Sequence, residues 1–298
     1  MWLWIVLIAH LLNALSFVVS KFILGHIQVK PAGYAGIIGI ASIVVTALVP
    51  WGFSPLSFGS ALIALATGAV FIWAVYFFFV ALDSDEVSTV VPVIGATIPV
   101  ITLIFAAIFL RERLSFSLYV AVGVLIIGTI CMLWKGGMKL RGARRQSLRV
   151  AVIAAVLFAL SSIGMKYIFN HTDVINGFIW TRWGSVAGVG VFLLSPVQKK
   201  YVKDAFRVLF SKSGLVFGLG ESFGGAGFIV LTYALSLASP TVINALQGVQ
   251  YALLLAIAIL GWIFKPDLLK ESFTRREIIF KTIGIVCIGI GVWVIAGL

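Results

Sequence analysis

Charge is what this chain has least of. Only 11% of its 298 residues are Asp, Glu, Lys or Arg, against 61% hydrophobic, where a soluble domain carries about a quarter charged and half apolar. Such a chain cannot cover a water-facing surface, so lipid must be part of its solvent. Acidic residues are the scarcest: 10 Asp and Glu stand against 22 Lys and Arg, a net charge of +12. That excess would suit nucleic acid, but the positive residues sit in loops between apolar runs, as topology signals do at a cytoplasmic membrane face. Nucleic acid is therefore set aside as a partner. The two cysteines, Cys131 and Cys287, both lie inside apolar runs, which fits packing better than a disulfide or metal pair. No metal-ligand cluster or nucleophile constellation is legible, so the chain reads as a non-enzyme without a cofactor. Nor is there a basic n-region or small-residue cleavage pattern before the first apolar run, which reads as a mature span.

What is present is length without charge. Breaking the apolar runs at charges, Pro and Gly leaves ten candidates, roughly 2–24, 32–52, 58–82, 87–110, 114–134, 149–169, 174–195, 214–237, 240–264 and 278–297. About 20 helical residues span the hydrocarbon core. A β-barrel would need short alternating segments, and these runs are uniformly apolar, so the expected fold is an all-α integral membrane protein. The longest loops are the stretches 135–149, 196–213 and 265–281.

The ten runs repeat. Ala14-Leu15-Ser16, Lys21 and His26 of span one recur as Ala159-Leu160-Ser161, Lys166 and His171 of span six, at an offset of 145. Ala81-Leu82 and Gly95 recur as Ala234-Leu235 and Gly248 at 153, and Gly123 and Gly128 as Gly284 and Gly289 at 161. The chain is thus expected to be two five-helix repeats, 1–135 and 149–298, joined by a basic linker at 136–148. A second copy entering after an odd number of crossings is inserted upside down, giving inverted repeats of the kind that serve alternating access.

With that duplication, span four carrying Pro92 and Pro99, the segment Leu110-Arg111-Glu112-Arg113-Leu114-Ser115 and the Gly-rich stretch 123–128, the chain resembles the drug/metabolite transporter superfamily, and within it the EamA-like ten-helix transporters. Arg111 stands where that family's segment has Gly, and the second half lacks a clear Glu-Arg-Leu counterpart. The resemblance implies a secondary carrier or exporter of amino acids, other metabolites or drugs. It also implies both termini inside. The charge count opposes this: alternate loops hold 17 Lys and Arg on one side and 2 on the other, which puts the basic loops in the cytoplasm and both termini outside. We follow the charge count, in a cell (cytoplasmic) membrane.

Ionisable groups inside a bilayer cost a few kcal/mol each and mark function or pairing. Arg182 and Glu221 each sit about eight residues into their spans. At about 1.5 Å per residue both fall near the midplane of a core about 30 Å thick. A buried pair that only fixes packing is one reading. The other is a site, with Arg182 holding a carboxylate or phosphate and Glu221 taking up and releasing a proton as coupling ion. In the first half Gly68 stands in the place of Glu221. In span nine Asn244, Gln247 and Tyr251 share a helical face at i, i+3 and i+7, with Gln250 beside them, and should look inward. Pro92 and Pro99 are expected to loosen span four beside the same cavity. His10 and Asn13 of span one share a face and join this lining. Trp73, Tyr76, Trp180 and Trp183 could add aromatic walls or act as interfacial anchors. Lys21 and Lys166, near span ends, fit snorkelling to the interface, their recurrence pointing to gating, and His26 and His171 read as interfacial. Span eight is Gly-rich around Glu221, without the Gly-Lys-Ser/Thr of a phosphate loop, so close packing or a hinge is expected there.

The function expected is therefore a secondary transporter of a small metabolite by alternating access, proton-coupled through Glu221, as monomer or homodimer in the bilayer. The rivals are a flippase for a lipid-linked substrate and a non-transporting scaffold.

Overall fold

The computed structural model describes residues 2–24, 29–84, 87–134, 142–264 and 274–297. Among the expected functional residues, the side chains of Lys21, Pro92 and Glu221 and the whole of His26 lie outside the described set. The regular elements described are all helices. In chain order they are α1 (Trp2–Leu24), α2 (Pro31–Gly52), α3 (Phe58–Ser84), α4 (Val87–Phe109), α5 (Phe116–Leu133), α6 (Gly142–Phe169), α7 (Val174–Leu193), α8 (Pro196–Leu209), α9 (Lys212–Leu237), α10 (Pro240–Ala245 and Gln247–Phe264) and α11 (Arg275–Ala296).

Ten of these fall on the ten apolar runs, and capping explains several boundaries. Asp173 caps α7 by accepting from the Asn176 amide at 2.9 Å. Ser239 caps α10 with Pro240 at its first position, where the missing N–H costs nothing. Thr274 and Glu277 form a reciprocal capping box, so α11 begins at Arg275 rather than at 278. The eleventh helix, α8, replaces an expected loop. Inside α2, Ser42–Leu48 tightens to a 3-10 helix just before Pro50, which cannot donate to the turn ahead of it. Pro92 and Pro99, by contrast, do not interrupt α4, which is helical from Val87 to Phe109.

Pro31–Gly52, Phe58–Ser84, Gln146–Phe169, Pro240–Ile257 and Arg275–Ala296 are long and apolar enough to cross a membrane, and Trp2–Ser16, Val93–Phe109, Phe116–Met132 and Ser222–Leu237 are shorter apolar helices. Large apolar side chains lie bare on their outer faces, Phe58 at 86% and Phe116 at 82% exposure among them. A water-soluble monomer rarely tolerates that; hydrocarbon covers it at no cost. The chain is thus a multi-pass membrane protein.

Two compact units form. The first comprises Met1–Gly25, Arg113–Leu140 and Val216–Leu298; the second comprises His26–Glu112 and Arg141–Leu215. Each draws on both sequence halves, so the spatial units cut across the two expected repeats.

In the second unit α3 packs against α2, α6 and α7, and α4 packs against α6. Ile72, Val75, Val189, Phe192 and Ala35 form one core, and Ala81, Val90, Ile94, Ala151 and Ala154 another. The α3–α7 contact is made backbone to backbone. A Cβ on Gly68 would collide with the Thr181 carbonyl, one on Gly184 with the Leu65 carbonyl, and one on Gly188 would come within 2.9 Å of Ala69 Cα. Ser185 Oγ–H donates across this seam to the Gly68 carbonyl at 3.2 Å. Small residues of this kind let membrane helices approach and gain dispersion contacts that lipid cannot supply.

In the first unit α5 packs along α11, and α10 packs against both α1 and α5. The α5–α11 seam again uses glycine: a Cβ on Gly128 would lie 3.0 Å from the Gly284 carbonyl, and one on Gly284 would lie 2.8 Å from the Gly128 carbonyl. Their sequence counterparts Gly123 and Gly289 face open space.

Candidate functional site

In the first unit one polar residue of α1, His10, meets one of α10, Gln250. α10 is broken: one helix ends at Ala245, Leu246 forms a turn, and a second begins at Gln247. The Val249 amide donates to Leu246 at 2.9 Å, a three-residue step where a regular helix takes four. Such a break redirects backbone groups inside an apolar element, tolerated where protein or a cavity satisfies them. In an unbroken helix the Ile243 carbonyl would serve the Gln247 amide. Here the His10 ring lies against that carbonyl.

His10 is 2% exposed and its Nδ1 lies 3.3 Å from Oε1 of Gln250, itself 4% exposed. The neutral Nδ1–H tautomer makes this a hydrogen bond with the ring as donor. Nε2 is buried and closes no hydrogen bond of ordinary geometry among the described residues. Tyr251 is buried next to Gln250, while Asn244 and Gln247 are half-buried. Asn13, one turn along α1, meets α9: a Cβ on Gly227 would collide with Asn13 Oδ1, and one on Gly224 would lie 2.9 Å from Ser16 Oγ. The glycines of α9 therefore let the polar face of α1 approach its backbone. Of the expected lining residues, His10 and Gln250 are in contact, while Asn13 of the same helix lies against α9. Glu221 belongs to α9, its side chain outside the described set.

The second unit holds a buried charge. Arg182 is 3% exposed, with its guanidinium carbon 4.7 Å from the centre of the Phe71 ring and 5.7 Å from that of Phe178. Stacking on aromatic faces stabilises a guanidinium while leaving its in-plane donors for hydrogen bonds. The empty counterpart of Glu221 has a steric reason: Gly68 lies at the point where α3 touches α7, and no side chain fits there.

Other expected residues serve the scaffold. Trp183 Nε1–H donates to Thr46 Oγ1 at 3.0 Å and Trp180 Nε1–H to the Ser54 carbonyl at 3.2 Å, with Phe53 against both rings. They fasten α7 to the end of α2, as interfacial aromatics do. Trp73 and Tyr76 pack on Phe192 at 4.8 and 5.1 Å, inside the α3–α7 core. Lys166 is half-buried within electrostatic reach of Glu112. Pro99 is buried in α4. Among the described residues no three His, Cys, Asp or Glu side chains converge as a metal site would require.

The family model of the EamA-like transporter family matches residues 1–134. No curated protein matches the chain by sequence. A solved crystal structure of a protein shares the fold over 98% of this chain and 97% of its own, with a TM-score of 0.66 at 16% identity. Residues 1–134 thus match the EamA-like transporter family, in accord with the drug/metabolite transporter resemblance carried by their motifs.

Proposed function

We propose that this protein is a secondary carrier that moves a small metabolite across the cytoplasmic membrane by alternating access, with ten spans arranged as two inverted five-helix repeats, 1–135 and 149–298. The EamA match supports transport of small solutes. The observation that carries the finer reading is the buried His10–Gln250 contact beside the break in α10. A bilayer helix gains nothing from a break in its second turn or from a buried imidazole set beside it. A transport site gains from both: redirected carbonyls and a polar ring within reach of a solute, as in carriers with discontinuous helices.

In this reading His10, Gln250, Asn244, Gln247, Asn13 and Tyr251 contact the solute. Arg182, near the Phe71 and Phe178 rings, supplies charge recognition for a carboxylate or phosphate. Glu221 carries the coupling proton. Purified protein in proteoliposomes, loaded with mixed amino acids and organic acids, tests this. Wild-type vesicles should exchange at least one solute, and Gln250→Leu and Arg182→Ala should each slow that exchange by tenfold or more. Glu221→Gln should exchange normally but fail to concentrate solute under an imposed pH gradient. Wild-type exchange with Gln250→Leu and Arg182→Ala both at wild-type rate would remove both residues from any part in transport.

A further inference from the structure

The basic helix α8 takes no part in the site described above. It is 14 residues long, about 21 Å at 1.5 Å per residue, too short for a hydrocarbon core about 30 Å thick. It also carries Lys199, Lys200, Lys203 and Arg207, which exclude it from that core.

Its place in the second unit is fixed by packing. α8 lies on the first turns of α2: a Cβ on Gly33 would come within 2.7 Å of Ala205 Cβ, and one on Gly36 within 2.9 Å of Val202 Cγ1. The neighbouring Lys30 pairs with Asp83 at the end of α3 at 3.4 Å. Ser147, in the first turns of α6, donates to the Ala81 carbonyl. The start of α2, the end of α3 and the start of α6 therefore share one end of this unit, and α8 covers that end.

Three stripes divide the helix at 3.6 residues per turn. Val202 and Ala205 are buried against α2. Val197, Tyr201 and Val208 form a second, apolar stripe. Lys199, Lys200, Lys203 and Arg207 form the third, on the side away from α2 and exposed. Asp204 binds Arg207 at 3.4 Å; Lys199, Lys200 and Lys203 meet no carboxylate among the described residues. Leu194 and Phe210, at the two ends of the helix, are 82% and 84% exposed. A helix with one apolar stripe on its own protein, a second apolar stripe beside it and a cationic outer stripe fits a membrane–water boundary.

We propose that α8 is an interfacial helix whose Lys199, Lys200 and Lys203 bind the headgroups of anionic phospholipid. Apolar Val197, Leu194 and Phe210 enter the acyl boundary, and the lysines reach the phosphate layer. Each cation near an anionic surface strengthens binding about fivefold.

The test is native mass spectrometry of the full-length protein in neutral detergent, titrated with phosphatidylglycerol or phosphatidylcholine. Wild type should retain phosphatidylglycerol in preference to phosphatidylcholine. K199Q/K200Q/K203Q should lower that retention at least tenfold, and K199R/K200R/K203R should keep it. R275Q/R276Q, at the start of α11, should leave it unchanged. Photoactivatable phosphatidylglycerol should label the α8 peptide in wild type, a readout independent of how the variants fold. Equal retention by the glutamine variant at unchanged helicity, or labelling that misses α8, would overturn the proposal. Displacement of the lipid by inorganic phosphate alone would also overturn it, by making the stripe a free-anion site.

Discussion

Arg111 holds its backbone at φ = 52°, the left-handed region that costs an L-residue roughly 1–2 kcal/mol. It ends α4, where the Leu110 and Glu112 amides both reach the Ala106 carbonyl at 3.1 Å. This is the position at which the related segment carries Gly, so the sequence departs from the pattern where the geometry asks for glycine. Arg111→Gly should therefore stabilise the protein. The relief of backbone strain exceeds the extra chain entropy of Gly by about 0.5–1 kcal/mol. Reversible unfolding in mixed detergent micelles measures this, and an unchanged or lowered midpoint would contradict the strain. His10 and Gln250 offer a second residue-scale measurement. Their contact is buried, and hydrogen bonds between membrane helices average about 0.6 kcal/mol in double-mutant cycles. His10→Ala and Gln250→Leu should be non-additive by about that amount or more in the same unfolding assay. Strict additivity would mean that the contact contributes nothing.

Between elements, glycine sets the distances, and its effect has opposite signs at two positions of the packed pair α3 and α7. A Cβ at Gly68 would meet backbone atoms of Thr181 and Ser185, which cannot rotate away; a Cβ at Gly190 of α7 would meet nothing within 4 Å. Gly68→Ala should push α3 from α7 and destabilise by about 2–3 kcal/mol. Gly190→Ala should be neutral or stabilising by up to about 1 kcal/mol, since Ala is the better helix former. Comparable losses from both would argue against a backbone-to-backbone seam. These contacts also show what the sequence could disclose. The apolar runs located ten of the eleven described helices because hydrophobic length is a local property. The polar residues of α10, Asn244, Gln247, Gln250 and Tyr251, were legible for the same reason. α8 was missed because a helix half-buried on protein needs no continuous apolar run. Its readable signal was Ser195-Pro196 followed by Lys199, Lys203 and Arg207 at i, i+4, i+8. The start of α11 was misjudged because breaking runs at charges discards Thr274-x-x-Glu277. The break at Leu246 and the cradle of Phe71 and Phe178 around Arg182 had no local signature. Both depend on which distant residues the packing brings near.

For the whole molecule, the sequence halves and the spatial units are different divisions. The first unit takes α1 and α5 from the first half and most of α9, α10 and α11 from the second; the other takes α2, α3 and α4 with α6, α7 and α8. Inverted copies that exchange helices in this way would make each unit depend on both halves, so neither half is expected to fold alone. Gly128 and Gly284 touch while Gly123 and Gly289 face open space, so positions matched in sequence have taken different roles at the α5–α11 seam. Orientation is the property of the whole chain most exposed to experiment. In the second unit Lys30 and the α8 lysines gather at one end, while Ser54, bonded to Asn176 at 3.0 Å, marks the other. The Lys and Arg of the alternating loops divide 17 to 2 in the same sense. Positive loops near span ends resist translocation, so this end should face the cytoplasm and both termini should lie outside. Single-cysteine variants at Lys199 and Ser54, on a Cys131→Ser/Cys287→Ser background, measure this with a membrane-impermeant maleimide. Position 54 should label in intact cells and position 199 only after permeabilisation. An N-terminal alkaline phosphatase fusion should be active. The reverse labelling with an inactive fusion would mean that the charge bias, large as it is, does not set the topology of this chain.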